Sequence, residues 1–205
     1  MIEFIEETHT YLVDGIIVPS VTTIIKNIFP DKYKGINTKI LQKKAEFGTK
    51  GHSIIEMLGK TKTTENEAYD EILRQYNSHE INQDMFISLR EYIRLCKKYQ
   101  IEVLENEVMV NYEYEYAGTL DMIANVNNKK SLIDIKFTAE LDEEYLSWQL
   151  GMYKLAYGEE FEEYYCLWLP KAKVGKLAPI KIKTKEEILE MLKKGQNNEQ
   201  SNITR

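Results

Sequence analysis

Cysteine is nearly missing from this chain, with two in 205 residues, Cys96 and Cys166. Two thiols cannot build a disulfide framework, a four-thiolate zinc site or a four-cysteine iron–sulfur cluster, so both read as reduced core residues. An excess of positive charge is missing too. The formal net charge is −6 and the sequence pI about 5.3, which excludes a generally basic nucleic-acid coat and leaves room for a local basic groove. No stretch approaches the roughly 20 apolar residues of a membrane span. The opening "MIEFIEETHTYLVDG" also lacks a basic region followed by an apolar run. The expectation is a cytoplasmic protein with no membrane partner. There is no internal repeat and no interdomain linker. What the chain does have is 43% hydrophobic and 11% aromatic residues, enough for one sizeable core, and residues 1–194 read as a single domain.

Hydrophobic periodicity orders that domain. "THTYLVDGIIVPSVTTII" alternates and is broken by Asp14-Gly15, so residues 9 to 24 predict a hairpin leading into Ser20-Val21-Thr22-Thr23. "TKILQKKAEFGTKGHSIIEML" predicts a helix carrying Gly48 and Gly51, which weaken it unless close packing needs them. Residues 65 to 78 and 83 to 99 read as two amphipathic helices, a helical insertion over about 60–100. The period then becomes that of strands in "EVLENEVMVNY", "YAGTLDMIANV" and, after the turn "NNKK", "SLIDIKF". A helix over "DEEYLSWQLGMYKLAY", strands at "EYYCLWLP" and "APIKIKT", and a helix from Lys185 follow. The residues from 195 to 205 read as a disordered tail. From residue 38 the order is helix, three strands, helix, strand: a mixed α/β layer with one sheet.

Chemistry concentrates on the third strand. In "LIDIKF", Asp134 and Lys136 lie two apart in an otherwise apolar run, so they share one face of a buried strand, where charges are costly unless something uses them. Asp121 ends "AGTLD" thirteen residues earlier, across the "NNKK" turn, so the two carboxylates fall near each other on adjacent strands. Like charges so placed are tolerable with a divalent cation between them, and oxygen ligands suit magnesium or manganese. Lys136 would then hold an attacking water or neutralise charge building on a phosphate. The plainer alternative is a surface pair with Asp121 in a turn. Gly118 permits close backbone approach beside Asp121. His52 lies on the same helical face as Glu56 and is either a further metal ligand or a structural histidine. Gln149 and Tyr153, four apart on a helix, either point at one groove or belong to a core-facing stripe beside Trp148 and Met152.

Taken together, a G-x-x-x-H helix start at Gly48–His52, "GTLD", "DIK" and Q-x-x-x-Y at Gln149–Tyr153 resemble the RecB-like branch of the PD-(D/E)-x-K nuclease superfamily, in order and on the expected elements. The N-terminal "HTYLVDGIIVPSVTTII" also resembles the opening of phage and bacterial members, recombination exonucleases among them, and of the related mitochondrial genome-maintenance exonucleases. The resemblance implies a restriction-endonuclease-like core with an N-terminal hairpin and a helical insertion. It implies metal ligation by His52, Asp121, Asp134 and the carbonyl of Ile135, a lysine, Lys136, that orients or activates water, and Gln149 and Tyr153 lining the DNA side of the groove. Glu107 is the candidate for assisting a second metal, with Glu105 and Glu56 behind it. The cysteine quartet of iron–sulfur relatives is missing, so no iron–sulfur cluster is expected.

The expectation is a Mg2+- or Mn2+-dependent deoxyribonuclease, an exonuclease by resemblance, acting in phage or bacterial recombination and repair. Hydrolysis assisted by the metal would depend little on sequence and strongly on salt, because the contacts are to phosphate. Ser20, Thr22 and Lys50 are candidate phosphate contacts, Ser20 and Thr22 being equally explained as a cap or strand end. Tyr112, Tyr114 and Tyr116 either stack bases or form one face of a half-exposed strand. An endonuclease, a silent DNA-binding module on the same fold and a small-molecule hydrolase remain alternatives. Monomers, rings and complexes with a single-strand annealing or recombination protein all fit the sequence.

Overall fold

A computed structural model describes residues 1–30, 35, 37–60 and 64–203. Strands β1 (Ile2–Ile5), β2 (Thr10–Val13) and β3 (Ile16–Val18) form an antiparallel sheet in that order. The β2–β3 turn is the expected one, with Asp14 at φ 50° and Gly15 at φ 80°, the left-handed pair that matches strand twist. The sheet gains a strand the alternation did not predict, because β1 is only four residues long and is cut off by a 3-10 turn at Glu6–Thr8. The hairpin also ends before residue 24. Ser20 caps helix α1 (Val21–Ile28), its hydroxyl accepting the Thr23 N–H at 3.1 Å.

Five further strands make the main sheet: β4 (Glu102–Tyr112), β5 (Tyr116–Val126), β6 (Lys129–Lys136), β7 (Glu163–Trp168) and β8 (Lys176–Pro179), side by side in chain order. All neighbours run antiparallel except β6 and β7. That parallel pair needs a crossover, which helix α5 (Glu143–Tyr157) supplies. Helices α2 (Thr38–Lys60), α3 (Glu65–Asn77) and α4 (Gln83–Tyr99) bury their apolar residues on one face, with Ile54, Ile72 and Leu89 against Met122, Ala124 and Ile133. Helices α1, α5 and α6 (Lys185–Ile203) cover the other, with Ile25, Leu150 and Ile188 in one cluster with Leu120, Ile123 and Leu132. The architecture is mixed α/β, with the sheet between two helical layers. Caps fix the helix starts: Thr64 and Glu67 satisfy each other's backbone at α3, while Asn82 and Asp142 accept from Met85 and Tyr145 at α4 and α5. The segment from 195 read as a tail is a correction. Helix α6 runs on to Ile203 because Gly195 weakens a helix without stopping it and no proline follows; residues 204 and 205 lie outside the described residues.

One irregularity in the sheet creates the site. Residues two apart on a regular strand share a face, yet Leu120 packs in the α5 layer and Met122 in the α2 layer. The alternation therefore slips at Asp121. No rung is formed at Asp121 on either side, where the β4–β5 ladder skips from Asn106↔Met122 to Val108↔Leu120 and the β5–β6 ladder ends at Met122↔Ile133. Opposite, Glu107 sits at φ 50°, a left-handed conformation that glutamate rarely adopts outside functional or strained positions.

Gly51 brings α2 down onto this point, since a Cβ there would stand 2.3 Å from the Phe137 ring, which packs edge-on against Phe47 and His52. Gly51→Ala is expected to lower stability by about 1–3 kcal/mol through overpacking, read as a fall in the urea midpoint. An unchanged midpoint would contradict the close approach.

Candidate functional site

Asp121 joins two groups of side chains on opposite faces of the sheet. On the α2 face, His52 Nδ1 lies 3.7 Å from Glu107 Oε1 and 3.7 Å from Asp121 Oδ1. Ligand atoms of these three residues all fall within 4.8 Å of one another. Helix α2 supplies the imidazole, β4 the strained glutamate and β5 the aspartate at the slip. One nitrogen and two carboxylates in this compass suit a hard divalent cation. Burial of the ring opposes the charged form of His52, but Asp121 and a hydrogen bond with Glu107 outweigh it and raise its pKa above 6.5.

Asp121 reaches the other group through its second oxygen, which accepts the Ile135 N–H at 2.6 Å. The carboxylate replaces the missing ladder rung, and the Ile135 carbonyl lies on the same edge of β6 as that amide. On the α5 face Asp134 is 1% exposed, with Lys136 Nζ 2.8 Å from Oδ1 in a hydrogen bond and 2.6 Å from Oδ2 outside hydrogen-bond alignment. Burial raises the Asp134 pKa to about 6, Lys136 pulling it down and Asp121 pushing it up. Burial works against the Lys136 charge, yet Asp134 and Asp121 together raise its pKa. Gln149 Nε2 is 3.5 Å from the Tyr153 hydroxyl, and both side chains are buried, with Gln149 Oε1 lacking a partner among the described residues. An orphaned buried acceptor costs about 1–3 kcal/mol. Burial keeps Tyr153 protonated, and the charges of Asp121 and Asp134 add to the effect. Gly118 makes room for Tyr153, whose ring would stand 2.9 Å from a Cβ at that position.

The residues predicted from sequence thus divide. His52, Glu107 and Asp121 come together directly, with Asp134, Ile135, Lys136, Gln149 and Tyr153 alongside. Glu105 does not join them; it accepts from the Tyr157 hydroxyl at 3.2 Å. Glu56 pairs with Lys60 one turn along its own helix. Of the two readings of Ser20 and Thr22, the cap is the one seen: Ser20, 8% exposed, is an N-cap with its hydroxyl 3.0 Å from Thr22 Oγ1 and 2.9 Å from Thr23 Oγ1. Lys50 is exposed, but two residues from His52 on a helix is nearly the opposite side, where it lines a separate groove with Lys43, Phe47 and Lys171. Tyr112 and Tyr116 stack on each other at 5.8 Å, and the Tyr116 hydroxyl donates to the Met152 carbonyl at 3.0 Å, a core role. Tyr114 donates to Asp14 at 3.1 Å.

One neighbour of the site was missed. The Tyr11 hydroxyl lies 2.9 Å from Thr119 Oγ1, two residues before Asp121. Nothing in the periodicity of "TYLV" signals it, because the contact spans 108 residues of chain.

No protein-family model and no curated protein matches this chain. Among solved structures it is similar to that of SSO0001, at 16% identity and a TM-score of 0.36, over 60% of this chain and 68% of that one. A likeness of that degree carries no argument about family or activity. Among the described residues no helix is long and apolar enough to cross a membrane.

The two raised pKa values fix a sign for stability. A group whose folded pKa is raised stabilises the fold at pH below its unfolded value, and the contribution is lost as pH rises through the folded one. For Asp134 that loss runs from 3.8 to about 6, and for His52 it begins near 6.5 and continues above. In chelator, the urea midpoint of the parent protein is therefore expected to fall more between pH 6.5 and 8.5 than that of His52→Gln. Parallel curves would refute the imidazolium's pairing with Asp121 and Glu107.

Proposed function

We propose that this protein is a metal-dependent deoxyribonuclease with a restriction-endonuclease-like core, digesting DNA from its ends with little sequence preference. The observation that carries the reading is the meeting of His52, Glu107 and Asp121 at a strand slip directly beside the buried Asp134–Lys136 pair. Three carboxylates, an imidazole and a lysine are costly to gather in one place, and hydrolysis of a phosphodiester uses each type. The order of elements supports it as well: α2, then after the α3–α4 insertion three antiparallel strands, and α5 carry these residues in sequence, and β7 follows parallel to β6.

His52, Glu107, Asp121, Asp134 and the Ile135 carbonyl are the groups that would hold Mg2+ or Mn2+. A divalent ion in such a set polarises a phosphoryl oxygen and lowers the pKa of bound water. Lys136 is ion-paired with Asp134, and its ammonium orients a water or meets charge developing on the phosphate. Gln149 offers its amide protons beside the Tyr153 hydroxyl, two donors on the α5 face suited to phosphate oxygens. Because these donors address phosphate, affinity is set by backbone charge and falls with salt. The same residues would serve an endonuclease, and exonuclease action is preferred on the motif resemblance. DNA recombination or repair in a phage or bacterial cell, with a single-strand annealing protein as partner, is the setting that resemblance proposes.

End-labelled linear DNA and closed circles, single- and double-stranded, separate the readings when incubated with Mg2+, Mn2+ or chelator. Loss of linear DNA only with metal is expected. Lys136→Ala is expected to slow cleavage by about 10²–10³-fold, the size of losing one preorganised donor, and Asp134→Ala to reduce it to background. Nicked circles would indicate an endonuclease. Intact DNA under every condition would overturn the nuclease reading.

A further inference from the structure

We propose that Tyr11 is a substrate-positioning residue: its hydroxyl donates to a phosphate oxygen of the bound strand, and the N-terminal sheet forms one wall of the reaction site. This inference rests on the reading of the site as one that binds DNA.

The placement comes from β5. Ala117 packs with Tyr11, Val13 and Val18 of the small sheet, and Thr119, two residues on, shares that face. Thr119 is half-buried, and its hydroxyl meets that of Tyr11 just before the slip at Asp121. The Tyr11 ring is buried, at 6% exposure, so its tip is held in place and pays little entropy to act.

Docking of the sheet does not need this hydroxyl. The Ala117 N–H already donates to the Pro19 carbonyl at 3.1 Å, Ser20 forms a bridge with Ala117, and the Tyr114 hydroxyl ties β5's preceding turn to Asp14. The apolar contacts of Val13 and Val18 would survive a phenylalanine at position 11 unchanged. The two hydroxyls of Tyr11 and Thr119 carry two protons, and their mutual bond uses one. The second can serve a guest acceptor.

Chemistry makes that donor valuable. Glu107 and Asp121 on this side of the site are acceptors when ionised, and a phosphodiester adds two more negative oxygens. Neutral or cationic donors are therefore the scarce groups. Burial, reinforced by the charges of Glu107 and Asp121, keeps the Tyr11 phenol protonated and so a donor. Donation to phosphate also carries no base information, which suits digestion without sequence preference.

The test uses full-length protein and a fluorescent thymidine homopolymer. Anisotropy with Ca2+ in place of Mg2+ reads binding, and release of label with Mg2+ reads cleavage. Tyr11→Phe is expected to weaken binding about tenfold, as loss of a hydrogen bond to a charged group does, with the urea midpoint no lower than that of Tyr114→Phe. Tyr114→Phe, which removes a hydroxyl from the same sheet's anchoring, is expected to bind like the parent. Equal binding by Tyr11→Phe and parent would overturn the proposal. So would a binding loss matched by a fall in midpoint, which would make Tyr11 structural. A parent that binds but does not cut overturns the nuclease reading, and Tyr11 is then judged on binding alone. A parent that does not bind at all overturns both.

Discussion

A carboxylate buried between two strands loses its hydration, and the loss amounts to several kcal/mol unless a cation or a proton meets it. Asp134, fully enclosed on β6 with β7 in parallel beside it, is met by Lys136 on the same face. Removing either partner would leave the other uncompensated, so the pair is a constraint on the whole central sheet before it is anything else. It also limits what the lysine can do. Its ammonium is available to a water or a phosphate only to the extent that Asp134 releases it. The strained pKa of the acid, raised to about 6 by burial even with the lysine beside it, indicates how incomplete the compensation is.

Asp121 resolves the same problem differently. Besides the His52 imidazole, it takes a backbone amide, that of Ile135, which the slipped ladder has left without a strand partner. The exchange is close to neutral for the sheet, since one N–H···O=C bond is replaced by a charge-assisted one. Its consequence is geometric. The slip turns Asp121 edge-on, so one oxygen stays in the sheet while the other faces His52 and Glu107. A regular strand would have committed this carboxylate to one face and separated the two halves of the site. The left-handed backbone of Glu107 is the local cost of that irregularity, and it lies just after a second one, the register shift of the β4–β5 ladder between Val103 and Glu105.

Much of this was legible from residues alone. Helices over 65–78 and 83–99 appear at Glu65–Asn77 and Gln83–Tyr99 because their caps and apolar spacing are local signals. Strands β4 and β5 match the sequence segments residue for residue, since their boundaries are set by turns with left-handed residues at Glu113, Asn127 and Asn128. The spacing of Asp121 from Asp134 across the β5–β6 turn was readable for the same reason. What could not be read depends on tertiary contact. The face slip leaves no trace, because Leu120, Met122 and Ala124 are all apolar and read as one continuous stripe. Ser20 looks alike as a phosphate ligand and as a cap until its hydroxyl is seen to accept Thr23 N–H. Lys50 and His52 look adjacent in sequence, and only the helix sets them on different sides.

Charge balance at the site follows from these placements. Glu107, Asp121 and Asp134 face Lys136 and a histidine whose proton is held by two of those acids. When all three acids are ionised and His52 is neutral, the set is negative, within a chain whose own formal charge is −6. A polyanion approaching such a cleft is repelled until positive charge is added, and over a few ångströms that repulsion is not screened by physiological salt. Protons supply it at low pH, which is why the same residues that raise the pKa of His52 and Asp134 favour the fold in acid. On the proposed reading, a divalent ion would be the source at neutral pH, with the right hardness for carboxylate oxygens. Under that reading proton uptake and metal binding are two responses to one electrostatic deficit, and each would oppose the other at equilibrium because both draw on the same carboxylates and imidazole.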